Sequence, residues 1–502
     1  MRIIFLLFFT VSIQFSAFSQ SPKQLYKKFK AEGENYFSQG DYVSAIASFE
    51  QALKNKTGDK FSTQRLAECN KIVKEKYAEL IVAADRLYKS GDLQAASGKY
   101  KEALNFKPED SYAKNQVDAC SIAPGSTYFK AFGNKSYDEA QTVLALDDGS
   151  IIMAGRASPS SSTNTDISLV KLDRDGNQEW EKKFGDDETE EANDLIKTRD
   201  GNFMVVGFSD SYSGSPGIKD MWVIKFDAAG NEIWNKTYGT DVTIDEGNSI
   251  VEAHDDGYLI VGNSFVNGSL NIMAIKIAEN GEKVWEKIYG GQNSEEGTKV
   301  VKTGDGYTIV GNTESKGKGK WDIWLLHLDK EGNELWDQTY GGGDNETANA
   351  IVKTSDGGYL IAGSTYSFAF ASQDFWIIKT DAQGKEIWNK AIGSYAAEEA
   401  FGLIETKDGK FVAVGFQEVW DEAEQAVSLD GYDVYIVKID EKGEVIWDRA
   451  VGGEKDQRGF DLAELEDGSL MVVGFTKADM KKGVDYLVMK MNKLGLVSKP
   501  TE

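Results

Sequence analysis

The sequence predicts a seven-bladed β-propeller preceded by a short α-helical repeat domain. Three observations carry this. An Asp-Gly turn recurs seven times, with its first glycine at Gly149, Gly201, Gly257, Gly306, Gly357, Gly409 and Gly468. A tryptophan recurs at Trp180, Trp234, Trp285, Trp336, Trp388 and Trp447, each four residues after another glycine in the pattern Gly-x-x-x-Trp. The seventh cycle stops one strand short, and an unmatched strand stands ahead of the first cycle. Fixed periods of this length are the mark of repeat architectures.

Within a cycle the pattern gives four short strands. In the second cycle these are Ala192–Thr198, Asn202–Phe208, Met221–Phe226 and Glu232–Tyr238, each bounded by Gly, Asp or Asn. Asp200-Gly201 suits a tight hairpin, because glycine accepts the positive φ such turns need. Runs such as Leu195-Ile196 and Val205-Val206 do not alternate with polar residues, so both faces of the sheet are expected to be buried. A four-stranded sheet buried on both faces and repeated seven times is a propeller. The strand Ser126–Phe132, with Tyr128 in the Trp position and Gly133 after it, is expected to complete the last sheet and remove open edges.

Ahead of the propeller, residues 20–121 hold two copies of a helical unit offset by 51 residues: Phe49 matches Tyr100, Ala52 matches Ala103 and Cys69 matches Cys120. Each breaks at a Gly-Asp pair, Gly40-Asp41 and Gly91-Asp92. Small and aromatic residues then recur at helical spacing, Ala45, Phe49 and Ala52 against Ala96, Tyr100 and Ala103. The offset implies a third helix per unit, over Ser62–Val73 and Ser111–Cys120. Residues 122–125, with Pro124 and Gly125, form the linker, and 126–502 the propeller. Residues 1–19 read as a signal peptide: Arg2, an apolar run from Ile3 to Val11 and Ala17-Phe18-Ser19 at the cleavage position. Export to the periplasm or the medium is the expected consequence. No later segment approaches the ~20 apolar residues of a membrane span. The two cysteines, Cys69 and Cys120, are expected to be free thiols, because equivalent positions of stacked units stand too far apart to bridge.

Both repeat systems carry a resemblance. Tyr340-Gly341-Gly342, Asp356-Gly357-Gly358-Tyr359 and Asp374-Phe375-Trp376-Ile377-Ile378-Lys379-Thr380-Asp381 resemble a family of exported bacterial β-propeller repeats over about 375 residues. Leu80, Ala83, Ala84, Leu87, Ala96, Tyr100, Ala103 and Pro108 resemble the tetratricopeptide repeat, which implies binding of peptides or partner proteins.

The net charge of −25 is uneven: residues 20–124 carry 17 Lys/Arg against 14 Asp/Glu, and residues 125–502 carry 38 against 67. Nucleic-acid binding needs Lys and Arg at phosphates, so an acidic propeller is a poor candidate for it. There is no P-loop, dinucleotide fingerprint or nucleophile elbow, and the two histidines make neither a zinc site nor a triad. No cofactor is called for, and no metal site or catalytic residue is named. The expectation is a non-catalytic scaffold for a protein or peptide partner, with a basic segment as the favoured ligand. The alternatives are a hydrolase of glycans or peptides at the propeller face and a docking subunit of an envelope assembly.

The candidate binding residues lie opposite the tight turns. A long loop from Phe416 to Tyr432 holds Trp420, Asp421, Glu422 and Glu424. Before each innermost strand, Glu139, Glu191, Glu246, Glu296 and Glu399 make an incomplete acidic ring, with Thr347 and Arg458 in the other two cycles. The competing expectation is that these glutamates only accept hydrogen bonds from neighbouring loops. The recurrent Trp and Tyr128 are expected to lock one blade to the next.

Overall fold

The structure, a computed structural model, describes residues 21–89, 93–120, 127–133, 137–158, 164–213, 217–240, 242–421, 426–452, 456–477 and 483–497. The expected leader, the linker and Ser126 lie outside these. The chain divides into two compact units, Met1–Ala123 and Pro124–Glu502.

Among its described residues the first unit has five helices: α1 Pro22–Ser38, α2 Tyr42–Asn55, α3 Lys60–Lys89, α4 Leu93–Leu104 and α5 Ser111–Cys120. Gly40 takes a φ of +78° and Asp41 caps α2 by accepting from the Ser44 N–H at 3.1 Å, so the Gly-Asp break acts as read. Two small cores form. One joins Ala45, Phe49 and Cys69, and the other Ala84, Ala96 and Tyr100. The tetratricopeptide reading is corrected here. The expected helix over Ser62–Val73 does not stop but runs on through α3, because nothing between Lys60 and Lys89 is a Gly or Pro that would break it. The unit is a set of five helices and not an array of helix-pair repeats. Cys69 is buried, Cys120 half-buried, and both are free thiols.

The second unit is a seven-bladed β-propeller. Each of seven antiparallel sheets has four strands. The innermost strands, for blades 1 to 7, are Asp138–Ala145, Glu190–Lys197, Asp245–Glu252, Glu295–Lys302, Glu346–Lys353, Glu398–Glu405 and Gln457–Glu464. In blade 2 the second and third strands, Phe203–Ser209 and Asp220–Phe226, are buried at every residue, whereas the outermost, Glu232–Tyr238, is mostly exposed or half-buried. Unbroken apolar runs therefore take the middle of each sheet. The strand Tyr128–Phe132 pairs with Asp485–Met491 of blade 7, from Tyr128 opposite Lys490 to Phe132 opposite Tyr486.

Apolar cores lie between blades. Ile152 and Leu169 of blade 1 pack with Phe203 and Trp222 of blade 2, and Met153 of blade 1 packs with Met471 and Val488 of blade 7. Each large side chain buried in such a seam contributes about 1.5–3 kcal/mol.

Polar contacts run round the ring too. Every innermost strand has a bulge after its third residue, as between Ala192 and Asp194. The bulged side chain reaches the next blade: Asn193 donates to the Gly247 carbonyl at 2.9 Å, Asn248 to Gly297 at 2.8 Å, Thr298 to Ala348 at 2.9 Å and Asn349 to Ala400 at 2.8 Å. In blades 6 and 7 the position holds Phe401 and Phe460, whose rings meet edge to face at 5.3 Å.

Candidate functional site

The five glutamates of the expected ring are each the second residue of an innermost strand. They therefore share one end of the propeller, opposite the tight turns. Much of their charge is answered within the protein. Arg156 of blade 1 bonds Glu139 at 2.6 Å and Glu191 at 2.9 Å, and Lys219 bonds Glu246 at 2.8 Å. Burial pushes the Glu191 carboxyl up against the opposing pull of Arg156. Glu399 accepts from Asn349 at 3.0 Å and, more weakly, from Thr347 at 3.4 Å. Burial also pushes Glu296 up, opposed by a hydrogen bond from Asn312. Among the described residues no ion pair reaches Glu296 or Glu399. The ring thus divides into three glutamates bonded to a cation, Glu139, Glu191 and Glu246, and two, Glu296 and Glu399, bonded to none among the described residues.

Aromatic rings line the same end. The Arg458 guanidinium lies 4.7 Å from the Phe416 ring and 4.3 Å from Tyr432, and Lys219 stands 3.9 Å from the Phe208 ring. This surface already holds two of its own cations against aromatic faces, as cation–π attraction favours.

The expected loop from Phe416 to Tyr432 takes a different form. The second strand of blade 6 extends to Asp421 and the third begins at Ala426, so most of the segment is a hairpin with Trp420 opposite Val427. Val-rich and aromatic sequence here prolongs the ladder instead of leaving it. Trp420 and Asp421 end the strand, while Glu422 and Glu424 lie outside the described residues.

Exposed aromatic residues cluster in blade 5 and the connection that follows it, which sequence reasoning passed over; Tyr137, Tyr212 and Phe265 are exposed singly in blades 1 to 3. Tyr366, Phe368 and Phe370 are 48%, 48% and 69% exposed, and Tyr395 59%. Phe370 and Tyr395 meet edge to face at 5.0 Å, and Phe368 leans on the buried Trp376 at 5.2 Å. A hydrogen-bond chain ties this shelf to the ring. The Tyr366 hydroxyl donates to Gln373 Oε1 at 2.9 Å, Gln373 Nε2 donates to Ser364 Oγ at 2.7 Å, and Ser364 meets Thr347 at 2.7 Å beside Glu399. The signal was the run Tyr366-Ser-Phe368-Ala-Phe370, aromatic where blade 4 carries Ser315-Lys316-Gly317-Lys318-Gly319-Lys320.

Sequence reasoning also missed a second row of acids, one residue before the glutamate ring: Asp138, Glu190, Asp245, Glu295, Glu346 and Glu398, all 2% exposed or less. Glu346 shows their work. Its Oε1 accepts from Thr365 at 2.9 Å and from the Ser367 N–H at 3.0 Å, and its Oε2 from the Gly342 N–H at 2.7 Å. These carboxylates pin the exposed loops to the sheets. The acidic doublet repeating in the sequence was their signal.

The recurrent aromatics sit on the neighbouring blade's turn. A Cβ at Gly332 would stand 2.7 Å from the Trp285 ring, at Gly443 2.8 Å from Trp388, at Gly495 2.7 Å from Trp447 and at Gly176 2.5 Å from Tyr128. Trp180, Trp234 and Trp336 cover Gly230, Gly281 and Gly384 in the same way. His327 fills the position that other blades give to lysine, and does similar work: its Nδ1 meets Thr308 at 2.8 Å and its Nε2 faces Asp305 at 3.5 Å. His254 lies beside the Gly306 carbonyl at 3.1 Å.

No protein-family model matches the chain. A stretch of 147 residues is 26% identical to the regulatory protein FlaEY of Caulobacter vibrioides, covering 26% of this chain and 15% of that protein. Among solved structures the chain is similar to a puromycin hydrolase (12% identity, TM-score 0.43, 76% of this chain and 58% of that one). It is also similar to the β-propeller domain of the Trilobed protease from Pyrococcus furiosus (13%, 0.37, 76% and 98%) and to the acylaminoacyl peptidase of Pyrococcus horikoshii (14%, 0.39, 70% and 52%). The expectation that the chain is not an enzyme is corrected by these: hydrolytic enzymes are among the structures it is similar to, so its architecture gives no ground for excluding catalysis. At such identities the likeness is one of fold, and no catalytic residue is carried over.

Proposed function

We propose that this is an exported protein whose propeller is a recognition module, taking a Lys/Arg-rich segment of a protein partner on the end that bears the long loops. One observation carries the reading: blade 5 bears the exposed aromatic residues Tyr366 and Phe370, the latter against Tyr395, and Tyr366 is joined through Gln373, Ser364 and Thr347 to Glu399. Aromatic faces on the same end as a carboxylate that has no ionic partner among the described residues suit an ammonium or guanidinium group. The same surface holds Lys219 and Arg458 by related contacts. The excess of 67 Asp/Glu over 38 Lys/Arg in residues 125–502 would speed the encounter with a basic partner. The leader-like residues 1–19 support export.

Titration with a fluorescent peptide of alternating Lys and Gly tests this. The F370A/Y395A double variant is expected to weaken binding about tenfold, the effect of ~1.4 kcal/mol, and E399Q to reduce its salt dependence, both with unchanged melting. Equal binding of an acidic control peptide, or no effect of the double variant, overturns the reading. Chromatography of the recovered peptide reports cleavage in the same experiment.

A further inference from the structure

Arg458 reverses the charge of the ring it belongs to. It is the second residue of its innermost strand, where five other blades place glutamate and blade 5 places Thr347. Of the five arginines in residues 126–502, four give N–H groups to protein acceptors. Arg156 bonds Glu139 and Glu191, Arg174 the Asp148 carbonyl, Arg199 Glu252 and Arg449 the Asp448 carbonyl. Arg458 gives none among the described residues, and its Nε is sealed from water without an acceptor. A buried N–H left in this way is rare in a folded protein and calls for a reason.

Aromatic rings hold the side chain instead. The guanidinium carbon lies 4.3 Å from the Tyr432 ring, 4.7 Å from Phe416 and 5.9 Å from Phe475. Phe416 and Tyr432 meet edge to face at 4.8 Å in blade 6, and Phe475 is Arg458's own register partner in blade 7. Ring faces attract a cation, but they leave its N–H groups without the acceptor a carboxylate would give. Nη1 and Nη2 bond nothing among the described residues, and unlike Nε they are not cut off from solvent. The guanidinium is positioned, yet its donors remain unspent.

The ring carboxylate of the adjoining blade is committed elsewhere. Glu399 of blade 6 accepts from Asn349 at 3.0 Å, which draws it towards blade 5, while Arg458 belongs to blade 7. Phe416 is the register partner of Glu399 and a ring neighbour of Arg458, so two opposite charges share one aromatic neighbour without pairing. Arg156 shows what a guanidinium on this end does with carboxylates in reach: it takes two, at 2.6 and 2.9 Å. The unbonded terminal N–H groups of Arg458 form a planar fork that matches the two oxygens of a carboxylate. The ligand must bring that carboxylate on a cationic body. A propeller with 67 Asp/Glu against 38 Lys/Arg in residues 125–502 repels a free anion, but attracts one carried among Lys and Arg residues.

We propose that Arg458 is a carboxylate receptor, so that the segment taken on this end of the propeller carries a carboxylate beside its cations, either its own C-terminus or an Asp/Glu side chain. This rests on the reading of the propeller as a binder of basic segments. The carboxylate engages the Nη atoms of Arg458, and a Lys or Arg side chain of the same segment engages Glu399. A segment with basic residues alone meets Arg458 as a like charge and loses affinity to it. Arg458 therefore sets specificity in both directions, rewarding a mixed-charge pattern and repelling a purely cationic one.

The test has two arms. In the first, three N-terminally labelled peptides of alternating Lys and Gly are titrated: a C-terminal acid, a C-terminal amide, and an amide with one internal Glu in place of Gly. The parent should bind the acid or the Glu-containing amide about tenfold more tightly than the plain amide, and whichever gains identifies the source of the carboxylate. In R458Q that gain should vanish while the plain amide binds as well as before or better, because a like charge has gone. Loss of affinity for all three peptides alike would mark Arg458 as structural and overturn the proposal. Should R458Q fold poorly, R458K keeps a cation against the rings and gives the same comparison, with a smaller gain because an ammonium has no planar fork. The second arm uses no basic peptide, so it decides this proposal even where the proposed function fails. N-acetylglycylglycine, titrated to high concentration at constant ionic strength, should shift the Arg458 Nε–H NMR signal, assigned by its absence in R458K, and N-acetylglycylglycinamide should not. Equal affinity of the parent for the three peptides, or an Arg458 signal that acid and amide leave alike, overturns the proposal. Failure of every peptide to bind, with the Arg458 signal shifted by the acid, overturns the proposed function alone.

Discussion

The indole of Trp336 in blade 4 lies over Gly384 in the Asp-x-x-Gly turn of blade 5, where a Cβ would stand 2.7 Å from the ring. Gly384 also has a φ of +74°, and Asp381 closes the turn by accepting from the Gln383 and Lys385 N–H groups at 2.9 Å each. Two physical demands, left-handed backbone and contact without a side chain, fall on one residue. Gly384→Ala should therefore lose about 2–4 kcal/mol, the left-handed penalty plus displacement of a half-buried ring. Equilibrium urea denaturation followed by tryptophan fluorescence measures it. A loss below about 0.5 kcal/mol, the range of an ordinary surface substitution, would show that the ring does not rest on the turn.

The pairing of Tyr128–Phe132 with Asp485–Met491 joins the two ends of the propeller's sequence in one sheet. Tyr128 covers Gly176 of blade 1, so this strand touches both neighbours of the junction. Removing residues 126–133 should expose the edge of Asp485–Met491 and lower stability by several kcal/mol, on the scale of one strand's buried apolar area. The truncated protein should also self-associate through that edge. Scanning calorimetry and light scattering test this, and a monomer that melts with the parent would refute it.

Much of this architecture was legible because each blade states it again. Gly201 in its turn, Val205-Val206 in a buried strand and Trp234 in the latch are each repeated, so seven copies average out local ambiguity. The helical unit has only two copies, and the reading failed where its copies join: α3 crosses from one to the other because no breaker lies between. At the candidate site, residues that keep a fixed place, such as Glu191 and Glu246, were found. Their ionic partners Arg156 and Lys219 come from single blades and carry no period. Phe370 and Tyr395 were missed for the same reason. Trp420 drew notice as an unusual residue, but the strand pairing around it depends on neighbours that periodicity does not reveal.

Lys379 and Asp356 form a pair whose contribution to stability is lost in acid. The lysine is 5% exposed at its side chain and reaches Asp356 at 2.9 Å. Burial works to raise the Asp356 carboxyl, yet hydrogen bonds from Thr354 and Lys379 and from the Gly358 N–H win and bring it down to about 2. A depressed carboxyl gives stability that is present above the unfolded value, about 4, and lost as pH falls through the folded value. The contribution is modest because the carboxylate is 61% exposed and solvent screens it. Titration of the Asp356 carboxyl by NMR should give a midpoint well below 4, moving upward in Lys379→Met.

Thiol titration of the unfolded, non-reduced protein should find two free groups, Cys69 and Cys120, even after preparation under oxidising conditions. Cys69 is packed with Ala45 and Phe49, and Cys120 with Ala84, Ala96 and Tyr100, two separate cores of the helical unit. Burial pushes both thiols up, which keeps the nucleophilic thiolate scarce. A titre of zero would mean that the two pair.

Arg156 supplies the sharpest test of how the acidic ring is held. Its guanidinium joins Glu139, 9% exposed at the side chain, to Glu191, 15% exposed, and no second cation is bonded to either among the described residues. Arg156→Met keeps most of the apolar stem but strips two crowded carboxylates of their one bonded cation among the described residues, leaving Glu191 only the weaker pull of Lys219. Breaking such a pair from one side costs about 3 kcal/mol, more than the pair itself contributes. Glu191 is pushed up by burial already, and loss of Arg156 removes the pull that opposes this. Its carboxyl should then rise further, so the variant should be least stable at high pH and recover towards the parent as pH falls to about 5, where protonation relieves the repulsion. Replacing Glu191 with Gln in the Arg156→Met background should restore part of the loss at neutral pH. Urea midpoints for the single and double variants at pH 5 and pH 8 measure both effects, and a loss equal at the two pH values would show that Arg156 acts through packing alone.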